Sequence, residues 1–180
     1  MHKALFLDRD GLINIDHAYV YRQEDFDFVE GIFDVCRTAQ EKGYQLIVVT
    51  NQSGIGRGYY TEADFHVISD WMVEQFKQNG VLIKDVYFCP YHPASAEGDY
   101  KKDMPCRKPH PGMLLEAANE HQIDLAQSIM FGDSVKDVEA GDAAGVKLSV
   151  LYDPNDTHQS IANRVSKLVD TIPMLKALAR

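Results

Sequence analysis

The sequence has no apolar run that could cross a membrane: Leu46 to Val49 is typical of its longest, whereas a spanning helix needs roughly 20 residues. Met1-His2-Lys3-Ala4-Leu5-Phe6-Leu7-Asp8 reaches an acid after too short an apolar stretch for a secretory signal, so a cytoplasmic protein is expected. Cysteine is scarce. Cys36, Cys89 and Cys106 are a small, odd set that suits reduced thiols better than a disulfide framework. Positive charge is short as well. Eighteen Lys and Arg against 27 Asp and Glu leave −9, which repels a phosphate backbone and argues against nucleic-acid or anionic-membrane partners. A small anionic substrate held by a few local cations stays compatible with this charge.

Repeats and low-complexity stretches are also missing. A hydrophobic fraction of 45% with ordinary numbers of Gly and Pro excludes disorder, and residues 1–180 are expected to form one domain. Short apolar runs at Ala4 to Asp8, Gln45 to Thr50, Asp85 to Cys89, Ser128 to Gly132 and Lys147 to Tyr152, with a weaker one at Val165 to Val169, read as strands covered on both faces. Helical segments lie between them. Ile32, Val35, Cys36 and Ala39 share a face ending at Gly43; Thr61 with Asp64 forms a capping pattern; Pro111 and Pro173 are start signals. Such alternation predicts an α/β, Rossmann-like three-layer sandwich with a mainly parallel sheet. The stretch 89–109 has no clear period and is read as a loop that shapes a site.

Ligands of an open α/β sheet bind outside the carboxyl ends of its strands, so the residues there matter most. The first strand ends in Asp8-Arg9-Asp10-Gly11, and in an extended segment Asp8 and Asp10 face one site. Thr50 ends the second strand, and Asp133 follows the fourth with Asp137 one helical turn beyond. Lys108 stands at the start of a predicted helix. Carboxylates with few all-protein alternatives suit Mg²⁺, and together with a lysine they offset the charge of a phosphate. One carboxylate is then free to attack phosphorus and another to move a proton.

Asp8-x-Asp10-Gly11, Thr50-Asn51-Gln52-Ser53-Gly54, Lys108-Pro109 and Gly132-Asp133 with Asp137 resemble, in order, the four motifs of the haloacid dehalogenase superfamily of phosphatases. The longer strings Leu7 to Gly11, Val49 to Gly56 and Cys106 to Met113 resemble the branch that holds heptose bisphosphate phosphatases and histidinol-phosphate phosphatases. The resemblance implies a haloacid dehalogenase-like fold with a minimal loop cap and a monomeric, Mg²⁺-dependent phosphatase. Its substrate would be a small phosphorylated sugar, first the 7-phosphate of a heptose 1,7-bisphosphate made for bacterial surface polysaccharide, with histidinol phosphate as the alternative. Asp8 would be nucleophile and metal ligand, Asp10 general acid/base and backbone-carbonyl ligand, and Asp133 the remaining metal ligand. Thr50 and Lys108 would stabilise the phosphoryl group; Asp16, His17, Ala18, Tyr19, Thr50, Asn51, Gln52, Ser53, Arg107 and Lys108 would contact substrate. Arg107 is expected to hold a second anionic group, and Ser134 stands where this branch often has Lys.

The resemblance also implies a zinc loop with Cys-x-His and Cys-x-Cys, but the four positions here are Cys89, Tyr91, Met104 and Cys106. Even with His92 adjacent, the tetrahedral set is short of ligands; no structural zinc and two free thiols are expected. Gly54-Ile55-Gly56-Arg57-Gly58 matches neither nucleotide-loop pattern and is read as a flexible turn. A phosphomutase is disfavoured by the lack of room for a water-excluding cap. A receiver-type signalling domain would carry its phosphoacceptor on a middle strand rather than the first.

Overall fold

A computed structural model describes residues 1–178. Six strands, β1 (Lys3–Leu7), β2 (Tyr44–Asn51), β3 (Ile83–Cys89), β4 (Ile129–Gly132), β5 (Leu148–Tyr152) and β6 (Arg164–Val165), form one sheet. Its order is β3-β2-β1-β4-β5-β6 and every pair is parallel. The chain therefore reverses its direction of travel across the sheet between β1 and β4, and the crevice outside their carboxyl ends is the place for a ligand. The expected α/β three-layer arrangement is present.

Alternation along β1 shows how the layers form. Leu5 and Leu7 pack into one buried cluster with Ile32, Val35, Ile68 and Phe76, whereas Ala4 and Phe6 join Met113, Leu114 and Ala117 in another. Helices α1 (Ile32–Glu41), α3 (Glu62–Gln78) and α6 (Thr171–Leu178) contribute to the first; α4 (Gly112–His121) and α5 (Val135–Ala144) contribute to the second. Each fully buried Leu or Phe is worth about 1.5–3 kcal/mol of transfer free energy. The Thr61 and Asp64 pattern is a true capping box at the start of α3, with Asp64 N–H donating to Thr61 Oγ1 and Thr61 N–H to Asp64 Oδ2.

Two local expectations are corrected. Residues 165–169 are not a strand: pairing with β5 ends at Val165, and Leu168–Asp170 turns as a 3₁₀ segment before α6. The Gly54 to Gly58 stretch is not a flexible turn either, because Ser53–Gly56 forms a one-turn helix, α2, with Gly54, Ile55 and Gly56 buried. Its glycines serve close packing. A Cβ on Gly56 would collide with Pro90 O, so the glycine lets α2 sit directly on the 89–109 loop, and Glu97 N–H donates to Gly56 O at 2.8 Å.

Candidate active site

β1 delivers Asp8 to the crevice as the residue just past its end, Asp8 N–H donating to Phe131 O of β4 at 3.0 Å. The chain then turns sharply, with Leu12 and Ile13 N–H both donating to Arg9 O and their side chains buried as anchors. Gly11 has φ +93°, and a Cβ there would overlap the Asp133 carboxylate. Glycine at this position thus lets the third acid approach the first two.

Asp8 is 8% exposed, and Lys108, 2% exposed, donates to its Oδ1 at 2.8 Å, to Val49 O at 2.8 Å and to Asp137 Oδ1 at 2.6 Å. All three ammonium protons are used. Burial alone would lower the Lys108 pKa, but the Asp137 and Asp8 carboxylates outweigh it and raise it, so the lysine is charged. Burial first, then the Asp137 charge, raises Asp8 well above the ordinary carboxylate range, with Lys108 opposing and Asp133 adding to the rise. The same two leading causes push Asp133 up to about 6. One oxygen each of Asp8, Asp133 and Asp137 lies within 4.8 Å of the other two. A single ammonium among three acids leaves negative charge uncompensated, and oxygen donors so arranged fit a hard divalent cation.

Asp137 has a double role. Its Oδ2 accepts from Ser134 N–H at 3.1 Å, closing a capping box at the start of α5, while its Oδ1 faces Lys108. Ser134 is therefore the cap of that helix. Asp137 is committed to the lysine and the cap, which leaves Asp8 and Asp133 as the carboxylates of this group that best fit a cation.

Asp10 is clamped by three side chains that sequence reading did not connect to it. Arg9, 1% exposed, donates through Nη2 to Asp10 Oδ1 at 2.9 Å and to Val20 O at 2.6 Å; Asn14 Nδ2 donates at 3.0 Å and Gln52 Nε2 at 2.9 Å. Gln52 also donates to Thr50 Oγ1 at 2.9 Å and accepts from the Tyr60 hydroxyl. The buried arginine carries a signal only in retrospect: it stands between two acids on an otherwise apolar turn.

Two adjoining recesses of about 200 and about 300 Å³ form the crevice. The smaller is lined by Asp8, Asp10, Asp16, Asn51, Lys108, Asp133, Ser134, Lys136 and Asp137; the larger by Asp10, Asp16, Ala18, Tyr19, Asn51, Gln52, Ser53, Gly54 and Tyr60. Most of the expected residues meet here. His17 does not, since its ring pairs with Asp27 at 2.8 Å, and Thr50, which is buried, and Arg107 line neither recess. Ala18 and Tyr19 both have positive φ, 61° and 56°, a costly pair of left-handed residues that holds the Tyr19 ring at the rim.

The expectation of free thiols at Cys89 and Cys106 is overturned. The end of β3 and the return of the loop bring their Cα atoms to 5.5 Å, within disulfide range, and the two sulfurs are bonded to each other. An odd cysteine count does not prevent one local pair from meeting. The set Cys89, His92 and Cys106 does not fit zinc here, because the sulfurs are consumed and His92 Nδ1 accepts from Ala94 and Ser95 N–H at 3.0 and 2.8 Å. Cys36 is a free, buried core thiol whose pKa burial raises to about 12.

Comparison with known proteins decides the family. The HAD-hydrolase-like family profile matches residues 105–172. D-glycero-alpha-D-manno-heptose-1,7-bisphosphate 7-phosphatase of Burkholderia mallei is 47% identical over 178 residues, 97% of this chain and 94% of its own length. D-glycero-beta-D-manno-heptose-1,7-bisphosphate 7-phosphatase of Escherichia coli (strain K12) is 45% identical over 148 residues, 82% of this chain and 78% of its own. The chain belongs to the haloacid dehalogenase-like phosphatases. It is a phosphoric monoester hydrolase. The crystal structure of D,D-heptose 1,7-bisphosphate phosphatase from B. bronchiseptica, complexed with magnesium and phosphate, superposes with a TM-score of 0.84 at 27% identity, covering 97% of this chain and 98% of that one. Among the described residues no helix is long and apolar enough to cross a membrane.

Proposed function

We propose that this phosphatase removes the 7-phosphate of D-glycero-D-manno-heptose 1,7-bisphosphate through an aspartyl phosphate on Asp8, as a monomeric cytoplasmic enzyme acting as one domain over residues 1–180. The observation that carries the mechanism is the Asp8 carboxylate at the sheet's switch point, held by a lysine through Oδ1 at 2.8 Å with a second acid clamped nearby. The sugar is supported by relatives at 45–48% identity that are all named for this reaction.

Mg²⁺ held by Asp8, Asp133 and the Asp10 carbonyl would neutralise phosphate charge and act as a Lewis acid on the phosphoryl oxygens. Lys108 fixes the orientation of Asp8 and contributes its charge, rather than a spare N–H, to the phosphoryl group beside it. An Asp8 oxygen attacks phosphorus as the bond to the sugar oxygen breaks, and Asp10 delivers the proton that the leaving oxygen needs. Asp10 then takes a proton from the water that attacks the phosphoaspartate, which releases phosphate and restores Asp8. Asp16, Tyr19, Asn51 and Ser53, which line the crevice, would contact the sugar.

Phosphate release from both anomers of the heptose bisphosphate, from histidinol phosphate and from common hexose phosphates tests this reading. It predicts the highest kcat/KM on a heptose bisphosphate, abolished by EDTA and restored by Mg²⁺. Preference for histidinol phosphate would overturn the substrate assignment, and full activity after chelation would overturn the metal.

A further inference from the structure

Tyr60 borders the larger recess and reaches Asp10 through another side chain. It follows α2 and immediately precedes Thr61, whose capping box starts α3, so the backbone after it is fixed. Before it, Tyr59 N–H donates to Gly54 O at 2.9 Å and closes the turn out of α2. The ring is 5% exposed and packs with Ile55 and Phe65. Tyr21 stacks on it, with 5.2 Å between centroids and 11° between planes. Gly54 makes room on another side, since a Cβ there would collide with the Tyr60 ring. A ring confined in this way has its hydroxyl aimed by the fold.

That hydroxyl donates to Gln52 Oε1. Gln52 is 2% exposed, and its Nε2 donates to Asp10 Oδ2 and to Thr50 Oγ1, both at 2.9 Å. Both amide protons are therefore used, and the amide oxygen is held from the opposite side. Only one orientation of the amide works, because the flipped one would set Oε1 against the Asp10 carboxylate. Burial, the leading cause, raises the Tyr60 pKa above the ordinary tyrosine value, so the hydroxyl keeps the proton it donates. Without that donor Gln52 Oε1 would be buried and unpaired, a cost relieved only when the amide moves. Such a movement takes Nε2 away from Asp10. Arg9 and Asn14 make their shorter contacts to Oδ1, at 2.9 and 3.0 Å, and Arg9 Nη2 reaches Oδ2 at 3.1 Å. Gln52 is thus the nearest holder of Oδ2.

We propose that Tyr60 is a positioning residue for the reaction: through Gln52 it fixes the Asp10 carboxylate in the orientation from which Asp10 moves the proton. The inference rests on the acid/base role given to Asp10 above and is independent of which sugar is cleaved. It also changes the part played by Gln52. Expected to contact substrate, Gln52 has no side-chain N–H left to offer one and instead relays the aromatic cluster to the acid.

Single-turnover rates with enzyme in saturating excess separate the chemical step from binding and product release. They are measured with Mg²⁺ on the phosphomonoester that the protein cleaves fastest. Tyr60→Phe, which keeps the ring and loses only the hydroxyl, is expected to lower the rate about tenfold, a part of the about 10²- to 10⁴-fold that Asp10→Asn should lose. The enzyme concentration that gives half the maximal rate should stay unchanged, whereas a loosened pocket would shift both. Gln52→Met, similar in shape but without the amide, should show a like fall, and Tyr60→Phe combined with Gln52→Met should be no slower than Gln52→Met alone. Should Tyr60→Phe not fold, an unaltered rate in Gln52→Met would overturn the relay. An unaltered rate in Asp10→Asn would overturn the acid/base reading and the relay with it. A slow Asp10→Asn beside a Tyr60→Phe of wild-type rate, or losses that multiply in the double variant, would overturn the relay alone.

Discussion

Asn51 grips the backbone of Lys108 on both sides: its Nδ2 donates to Lys108 O and its Oδ1 accepts from Lys108 N–H, each at 3.0 Å. The end of β2 thereby sets the position of a lysine 57 residues away in sequence. With each such hydrogen bond worth about 0.5–1.5 kcal/mol, Asn51→Ala is expected to lower kcat by about tenfold or more as Lys108 shifts from Asp8. Steady-state kinetics on the monophosphate decides it, and an unchanged kcat would show that the ion pairs alone hold the lysine.

Gly11→Ala should damage the metal site without touching a ligand. Its φ of +93° strains any Cβ-bearing residue, and the added methyl would displace the Asp133 carboxylate. Mg²⁺ affinity measured by calorimetry on the protein without substrate should fall about 10- to 100-fold, the range seen when the support of a ligand is disturbed. Unaltered binding would remove Asp133 from the cation site.

Thiol counting tests the loop. Unfolded without reductant, the protein should expose one titratable thiol, Cys36, and three after reduction. In the folded state Cys36 should resist thiol reagents, since burial raises its pKa to about 12 and the thiolate is the reactive form. Closing a loop of this size is worth about 3 kcal/mol, so reduction should lower the melting temperature measurably. Three thiols before reduction would contradict the pairing of Cys89 with Cys106.

Strands and the acids at their ends were legible because their signals are local. Continuous apolar runs mark strands covered on both faces, and Asp8, Thr50 and Asp133 are marked by where those runs stop. The Ser134 and Asp137 spacing is a capping pattern, although its second duty toward Lys108 depends on a contact across 29 residues. Long-range partnership was the hidden part. Arg9 carries no signal in its spacing, yet it is 1% exposed and donates to Val20 O and the Asp10 carboxylate. The 89–109 loop has no period, so its disulfide could not be anticipated from spacing.

The covalent step is the centre of the account, and acid quenching during turnover of heptose 1,7-bisphosphate examines it directly. Peptide mapping of quenched Asp10→Asn, in which general acid/base help worth about 10²- to 10⁴-fold is missing, should find a phosphoryl group on Asp8 and nowhere else. Phosphate release by the wild type with Asp8 never modified, in either protein, would contradict the aspartyl-phosphate mechanism.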